Sequence, residues 1–189
     1  MDVALPKTEK GDIFLDVGAH IGKYALQVAK IVGEKGLVIA IEPMPENYDA
    51  LLQNIWLNKL ENIIPLNIAA WNTESDLKLF IGDKNGRNSL KNNRGLGYVE
   101  VKTKVLDKVL KKLNVNQVDW IKIDVEGAEY EVLQGLGNTL KNNRPKLIVE
   151  VKNENKHRVI NLMKKLNYNV HPIDASDNEY YYFKPNLHS

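Results

Sequence analysis

Cysteine is absent from the 189 residues, which excludes disulfides, thiolate metal sites and cysteine nucleophiles. Long apolar runs are absent as well. None approaches the roughly 20 residues that a membrane-spanning helix needs. The opening MDVALPKTEK is charged, carries proline and lacks an apolar stretch, so it does not read as a secretory signal. A cytoplasmic location is the expectation. Strong charge of either sign is missing too: 26 Lys and Arg face 24 Asp and Glu, a net charge of +2, too small to imply nucleic-acid binding by itself. A hydrophobic share of 43% and a charged share of 26% are ordinary for a globular protein. The length suits one domain, residues 1–189, with a substantial core.

Five short apolar runs punctuate what is there: IFLDV (13–17), LVIAI (37–41), IIPLNIA (63–69), WIKIDV (120–125) and LIVEV (147–151). Each is β-branched and too short for a free-standing helix, so each reads as a buried strand. Helical patterns lie between them. Ile21, Ala25, Val28 and Val32 share one face, as do Leu51, Leu52 and Ile55, and Val132, Leu133 and Leu136. Alternation of strand and helix predicts a doubly wound, mostly parallel α/β sheet covered on both faces, with right-handed crossovers. Val159, Leu162, Met163 and Leu166 mark a further helix. YNVHPI and EYYYFKP follow as an antiparallel pair of strands at the sheet edge.

Residues 82–97, GDKNGRNSLKNNRGLG, break the alternation between the probable strands LKLFI and YVEVKTK. Lys84, Arg87, Lys91 and Arg94 face one acid, Asp83. The segment is either a solvated loop or a lid over an acceptor with a preference for anionic groups.

In a doubly wound sheet, ligands bind beyond the carboxyl ends of the strands. Those ends carry Asp16, Glu42, Asn67, Asp124 and Glu150. The first run leads into DVGAHIGKYAL, where Gly18 and Gly22 are four apart and His20 lies between them. Gly18 lets the backbone turn and approach a ligand, Gly22 lets the helix pack closely, and His20 tolerates positive φ better than most residues. The spacing is not the G-x-G-x-x-G of a dinucleotide pyrophosphate loop, so the ligand need carry no phosphate. Glu42, 24 residues after Gly18, is placed to accept both hydroxyls of a ribose. Met44 either covers an adenine face or is a core methionine.

These motifs carry a family resemblance. DVGAHIGKYAL, IEPMPENYDALLQN, NIAAW and IKIDVEGAEYEVLQGL, in that order, resemble the successive motifs of the FkbM family of S-adenosylmethionine (SAM)-dependent methyltransferases. The resemblance runs from about Gly11 to Glu150 and is most specific in KIDVEGAE. It implies a Rossmann-like class I methyltransferase fold, a seven-stranded sheet of order 3-2-1-4-5-7-6 with strand 7 antiparallel. It also implies methyl transfer to a hydroxyl of a sugar, glycolipid-type or other small-molecule acceptor. By position, Asp16, Gly18, Ala19, His20 and Gly22 fall on the glycine motif around the methionine part of SAM. Glu42, with Pro43 and Met44 after it, falls on the ribose-binding acid, and Ala69 and Ala70 lie near the adenine. Asp124 and Glu126 fall on the acidic motif at the reaction centre. Only some twelve residues precede the first strand, fewer than in many members, which bears on how the acceptor is covered.

A hydroxyl acceptor must lose a proton, which calls for a nearby base. Asp124 and Glu126 are the candidates; they converge only if the chain leaves the strand between them. Asp124, Glu126, Glu129 and Glu150 also offer oxygen ligands to Mg²⁺, but the favoured reading has no metal, with Glu129 capping a helix. A nucleic-acid methyltransferase is the rival class, and nucleic acid is the less expected partner: DVEG stands in place of the N/D-P-P-aromatic turn, and the basic loop lacks aromatics for stacking. A non-catalytic SAM-binding module is a further alternative.

Overall fold

The computed structural model describes residues 7–82, 88–91, 96–173 and 180–186. In chain order the elements are β1 (Ile13–Val17), α1 (Lys23–Val32), β2 (Leu37–Ile41), α2 (Pro45–Leu57), β3 (Ile63–Leu66), β4 (Ala69–Ala70), β5 (Asp76–Phe80) and β6 (Tyr98–Lys104). They continue as α3 (Leu106–Lys112), β7 (Trp120–Ile123), α4 (Glu129–Gly135), α5 (Gly137–Asn142), β8 (Lys146–Glu150), α6 (Lys156–Lys165), β9 (Tyr168–Pro172) and β10 (Tyr180–Pro185).

Seven strands form one sheet in the order β3-β2-β1-β7-β8-β10-β9. The first five are parallel; β10 runs antiparallel to both β8 and β9. Counting only these seven, the order is 3-2-1-4-5-7-6 with the seventh reversed, as the resemblance implies. The run IIPLNIA is two strands rather than one. It breaks at Asn67, whose side chain donates to the carbonyls of Glu42 and Pro43 at 2.9 and 3.1 Å. Beyond the break, β4 leaves the large sheet and pairs with β6 in a second, three-stranded sheet, β4-β6-β5.

Strand alternation sorts the core into two faces. Phe14, Val38, Ala40 and Trp120 point to one, where Ala25, Val28, Ala29 and Val32 of α1 and Leu51 of α2 cover β1 to β3. Leu15, Ile39, Ile121, Leu147 and Val149 point to the other, against Val132, Leu133, Leu136, Val159 and Met163. Two residues depart from the helical stripes read in the sequence. Ile21 precedes α1 and is exposed, and Leu52 faces solvent beside the buried Leu51. Among the described residues, no helix is long and apolar enough to cross a membrane.

The turn after β1 is fixed from below. Gly18 and Ala19 donate backbone N–H groups to the Ile41 carbonyl at 3.0 and 2.9 Å, tying this turn to the end of β2. Gly18 has φ +84, and a Cβ there would lie 1.9 Å from the Asp124 carbonyl oxygen. Glycine is required because the ends of β1 and β7 touch at this point. Gly22 (φ +94) is required by packing, since a Cβ would meet Leu26 and Leu51 at 2.4 and 2.6 Å. Gly18→Ala combines overpacking against backbone with a left-handed φ, and its expected cost in urea unfolding is about 3 kcal/mol. Gly33→Ala, where φ is +68 and ψ −170 but nothing lies within 4 Å, meets backbone strain without overpacking and should cost about 2 kcal/mol.

Candidate functional site

An open cavity of about 250 Å³ lies beyond the carboxyl ends of β1, β2 and β7. Gly18 and His20 border it on the β1 side, Glu42, Pro43 and Asn47 at the end of β2, and Asp124 and Glu126 at the end of β7. Ala69, Ala70, Leu79 and Leu90 supply an apolar wall. Eight of the twelve expected positions are therefore joined here: Gly18, His20, Glu42, Pro43, Ala69, Ala70, Asp124 and Glu126. Asp16, Ala19, Gly22 and Met44 do not line it. Met44 packs with Ala69, Leu79 and Val101.

Glu42 is held by its neighbours. Its carboxylate accepts the His20 N–H at 2.8 Å, the Met44 N–H at 2.9 Å and the Asn47 side-chain amide at 3.3 Å. Burial pushes its pKa up, and these three donors oppose the shift. His20 donates because its left-handed φ of 52° turns its N–H toward Glu42. A carboxylate has about four acceptor sites, so capacity for a hydroxyl remains.

The opposite side is acidic. Asp124, Glu126 and Glu150 each bring an oxygen within 4.8 Å of the others. They converge because the chain leaves β7 at Asp124 and reverses through Glu126 (φ 50°) and Gly127 (φ 105°). Glu129 is not part of this group. It is fully buried and closes the turn, accepting the Gly127 N–H at 2.7 Å and the Asn155 amide at 2.6 Å; Asn155 also donates to the Gly127 carbonyl. Lys152 bridges Glu150 and Glu126 at 3.0 and 3.2 Å.

Lys122 escaped the sequence reading. It lies in β7, 5% exposed, with its ammonium 3.3 Å from Asp124 and 3.7 Å from Asp16 and 4.9 Å from the centre of the Tyr24 ring. The signal was present, a lone lysine inside the apolar run WIKIDV. Burial works to lower its pKa, but Asp16 and Asp124 outweigh burial and keep it charged. For Asp124, burial is likewise overcome by Lys122, and its pKa is held down. Asp16 is completely buried, and among the described residues neither carboxyl oxygen makes a well-formed hydrogen bond. Burial raises its pKa against the pull of Lys122.

The expected lid, 82–97, lies largely outside the described residues. Its middle, 88–91, folds onto the site. Ser89 pairs with Phe80, and its hydroxyl donates to the Glu126 carbonyl at 2.7 Å. Lys91 meets Glu131 at 2.7 Å, and Asn88 and Leu90 line the cavity.

A free carboxylate for hydroxyls at one end, an apolar wall, and an acid-rich group at the other end suit an elongated ligand that carries both a ribose and a cation. The sheet order and this strand-end cavity define a class I, Rossmann-like methyltransferase fold. A family model described as the methyltransferase FkbM domain matches residues 16–170, and the chain belongs to that family.

Hexuronic acid methyltransferase AglP of Haloferax volcanii is 31% identical over 137 residues, 72% of this chain and 55% of that protein. A tRNA(Phe) (4-demethylwyosine(37)-C(7)) aminocarboxypropyltransferase of Methanocaldococcus jannaschii is 35% identical over 106 residues, 56% of this chain and 37% of its own. The chain thus spans about half or less of the length of these curated relatives. The crystal structure of an FkbM methyltransferase from Methylobacillus flagellatus superposes with a TM-score of 0.68 at 18% identity, covering 95% of this chain and 45% of that one. Fibrillarin of Aeropyrum pernix, solved with natively bound SAM, superposes at 0.59 and 18% identity over 93% of this chain and 66% of its own.

Lys122→Met would leave Asp16 buried and unpaired. Removing one partner of a buried ion pair costs about 3–5 kcal/mol. A buried carboxyl with a raised pKa contributes stability that is complete below its ordinary pKa and is lost as pH rises through the raised value. The penalty of Lys122→Met in urea unfolding should therefore be smallest in acid, below the ordinary aspartate range, and should grow as the pH rises.

Proposed function

We propose that this chain binds SAM in the strand-end cavity and transfers its methyl group to a hydroxyl of a sugar-type acceptor. The observation that carries this reading is one cavity with Glu42 at one end and Asp124 with Glu126 at the other. Glu42 accepts the ribose hydroxyls. Ala69, Ala70 and Pro43 lie along the adenine, and Met44 supports that wall from behind. Gly18, Ala19 and His20 shape the turn beneath the methionine part, with Gly22 fixing the helix behind it. Asp16, buried beside Lys122, lies beneath the position of the sulfonium and steadies Lys122 there.

When bound, SAM supplies an electrophilic methyl carbon whose transfer neutralises the sulfonium. The chain's part is to hold the acceptor aligned and dry and to take its proton. Asp124, with 28% of its side chain exposed, presents an oxygen to the cavity while Lys122 holds the other. Glu126 borders the same space, steadied by Lys152.

A carbohydrate acceptor is supported by the relative named for hexuronic acid methylation, and the excess of basic residues in the 82–97 sequence suits an acceptor with anionic groups. The test is calorimetry with SAM, followed by transfer from labelled SAM into uronic acid glycans and, separately, into tRNA. Labelled glycan supports the reading; label in tRNA alone overturns the acceptor class. Glu42→Ala should weaken SAM binding by about 1.5–3 kcal/mol, the worth of a hydrogen bond to a charged group. Asp124→Asn should lower turnover at saturating SAM by about 10²–10⁴, the range for a positioned base, with a smaller change in affinity.

A further inference from the structure

Asp124 and Glu150 end adjacent parallel strands. Ile123 pairs with Val149, so the two acids stand opposite each other one residue on. Alternation puts both on the sheet face that carries Lys122 and Ile148. Each has one cation at salt-bridge distance: Lys122 on Asp124 Oδ2 at 3.3 Å and Lys152 on Glu150 Oε1 at 3.0 Å. Glu150 is 7% exposed, and its Oε2 is buried with no hydrogen-bond partner. The two carboxyls bring oxygens within 4.8 Å of each other, and carboxyls this close in a buried setting do not both ionise readily; the pair holds one proton, which one member can donate to the other.

Resting on the reading of the cavity as a methyl-transfer site, we propose that Asp124 and Glu150 work as one proton-holding pair in which Glu150 keeps the proton and its release arms Asp124 as the base. The groups facing the pair are Lys122 and, beyond it, Asp16; Lys152 and Glu126 at the mouth; Tyr180 from β10; and Tyr24 from α1. Burial first, then contact with Asp124, pushes the Glu150 carboxyl up to about 8, with Lys152 pulling the other way. Lys122 keeps Asp124 the more acidic member.

The chemistry balances. The acceptor O–H bond breaks and its proton passes to Asp124. The acceptor oxygen forms the new bond to the methyl carbon. The electron pair of the broken carbon–sulfur bond stays on sulfur. The proton on Asp124 is then shared with the ionised Glu150, which returns the pair to its singly protonated state, and that proton leaves to solvent at the cavity mouth before the next turnover. An isolated aspartate held acidic by Lys122 would be a weak base for a hydroxyl; coupling to Glu150 makes it a stronger one. Glu150 is a positioning residue in this scheme, acting through Asp124.

The test is a carbon-13 NMR titration of side-chain carboxyls in the unliganded protein. One carboxyl should titrate near pH 8. It should vanish in Glu150→Gln and move to lower pH in Asp124→Asn. On the identified acceptor, kcat/KM should rise with pH to a plateau above about 8 in the wild type, and that limb should be lost in Glu150→Gln. Carboxyls that all titrate below about pH 5, or a titration near 8 that survives Glu150→Gln, would overturn the pair. A wild-type pH limb unchanged in a folded Glu150→Gln variant would overturn the arming role. The NMR readout needs no cofactor, so absent SAM binding in calorimetry counts against the reading of the cavity and not against the pair.

Discussion

The buried ammonium of Lys122 lets this sheet end in acids. Asp16 and Asp124 stand on neighbouring strands, facing the interior that Phe14, Ala25 and Trp120 make apolar. Without a compensating charge, two such carboxylates would drive each other's protonation or break the strand ends apart. With Lys122 between them, β1 and β7 stay close enough for Gly18 to touch the Asp124 carbonyl. That contact sets the turn to His20. The His20 N–H in turn helps orient Glu42, so the two ends of the cavity are mechanically linked through the middle of the sheet.

The acidic side is a ladder rather than a scatter of surface charge. Asp16, Lys122, Asp124, Glu150, Lys152 and Glu126 follow one another across the ends of β1, β7 and β8. Four acids face two lysines, so even with one proton held on the Asp124–Glu150 pair an excess of negative charge remains when the other acids are ionised, which favours a cationic ligand in a partly desolvated site. Glu129 and Asn155 keep the turn that carries Glu126 closed behind the ladder, and Ser89 ties the described part of the 82–97 segment to it from the front.

Much of this was legible in the chain itself. Short β-branched apolar runs marked the parallel strands, a period of 3.6 marked most helices, and the acids at the strand ends located the crevice. The exact strand order came from the family resemblance, because alternation alone allows several doubly wound sheets. The sequence hid what depends on partners distant along the chain. Asn67 divides an apolar run by bonding to residues 24 and 25 positions earlier. Gly18 reads as a ligand-facing glycine, but its constraint comes from Asp124, more than a hundred residues away. Lys122 looks like a stray charge in an apolar strand until Asp16 and Asp124 are seen on either side. Glu150 reads as one more strand-end acid until its neighbour is known.

The most direct measurement is a crystal structure of the chain with S-adenosylhomocysteine bound. The ribose hydroxyls should lie on the Glu42 carboxylate, the adenine along Ala69 and Ala70, and the sulfur on the side of Asp124. A ligand bound elsewhere, or one in this cavity with its ribose turned away from Glu42, would contradict the assignment.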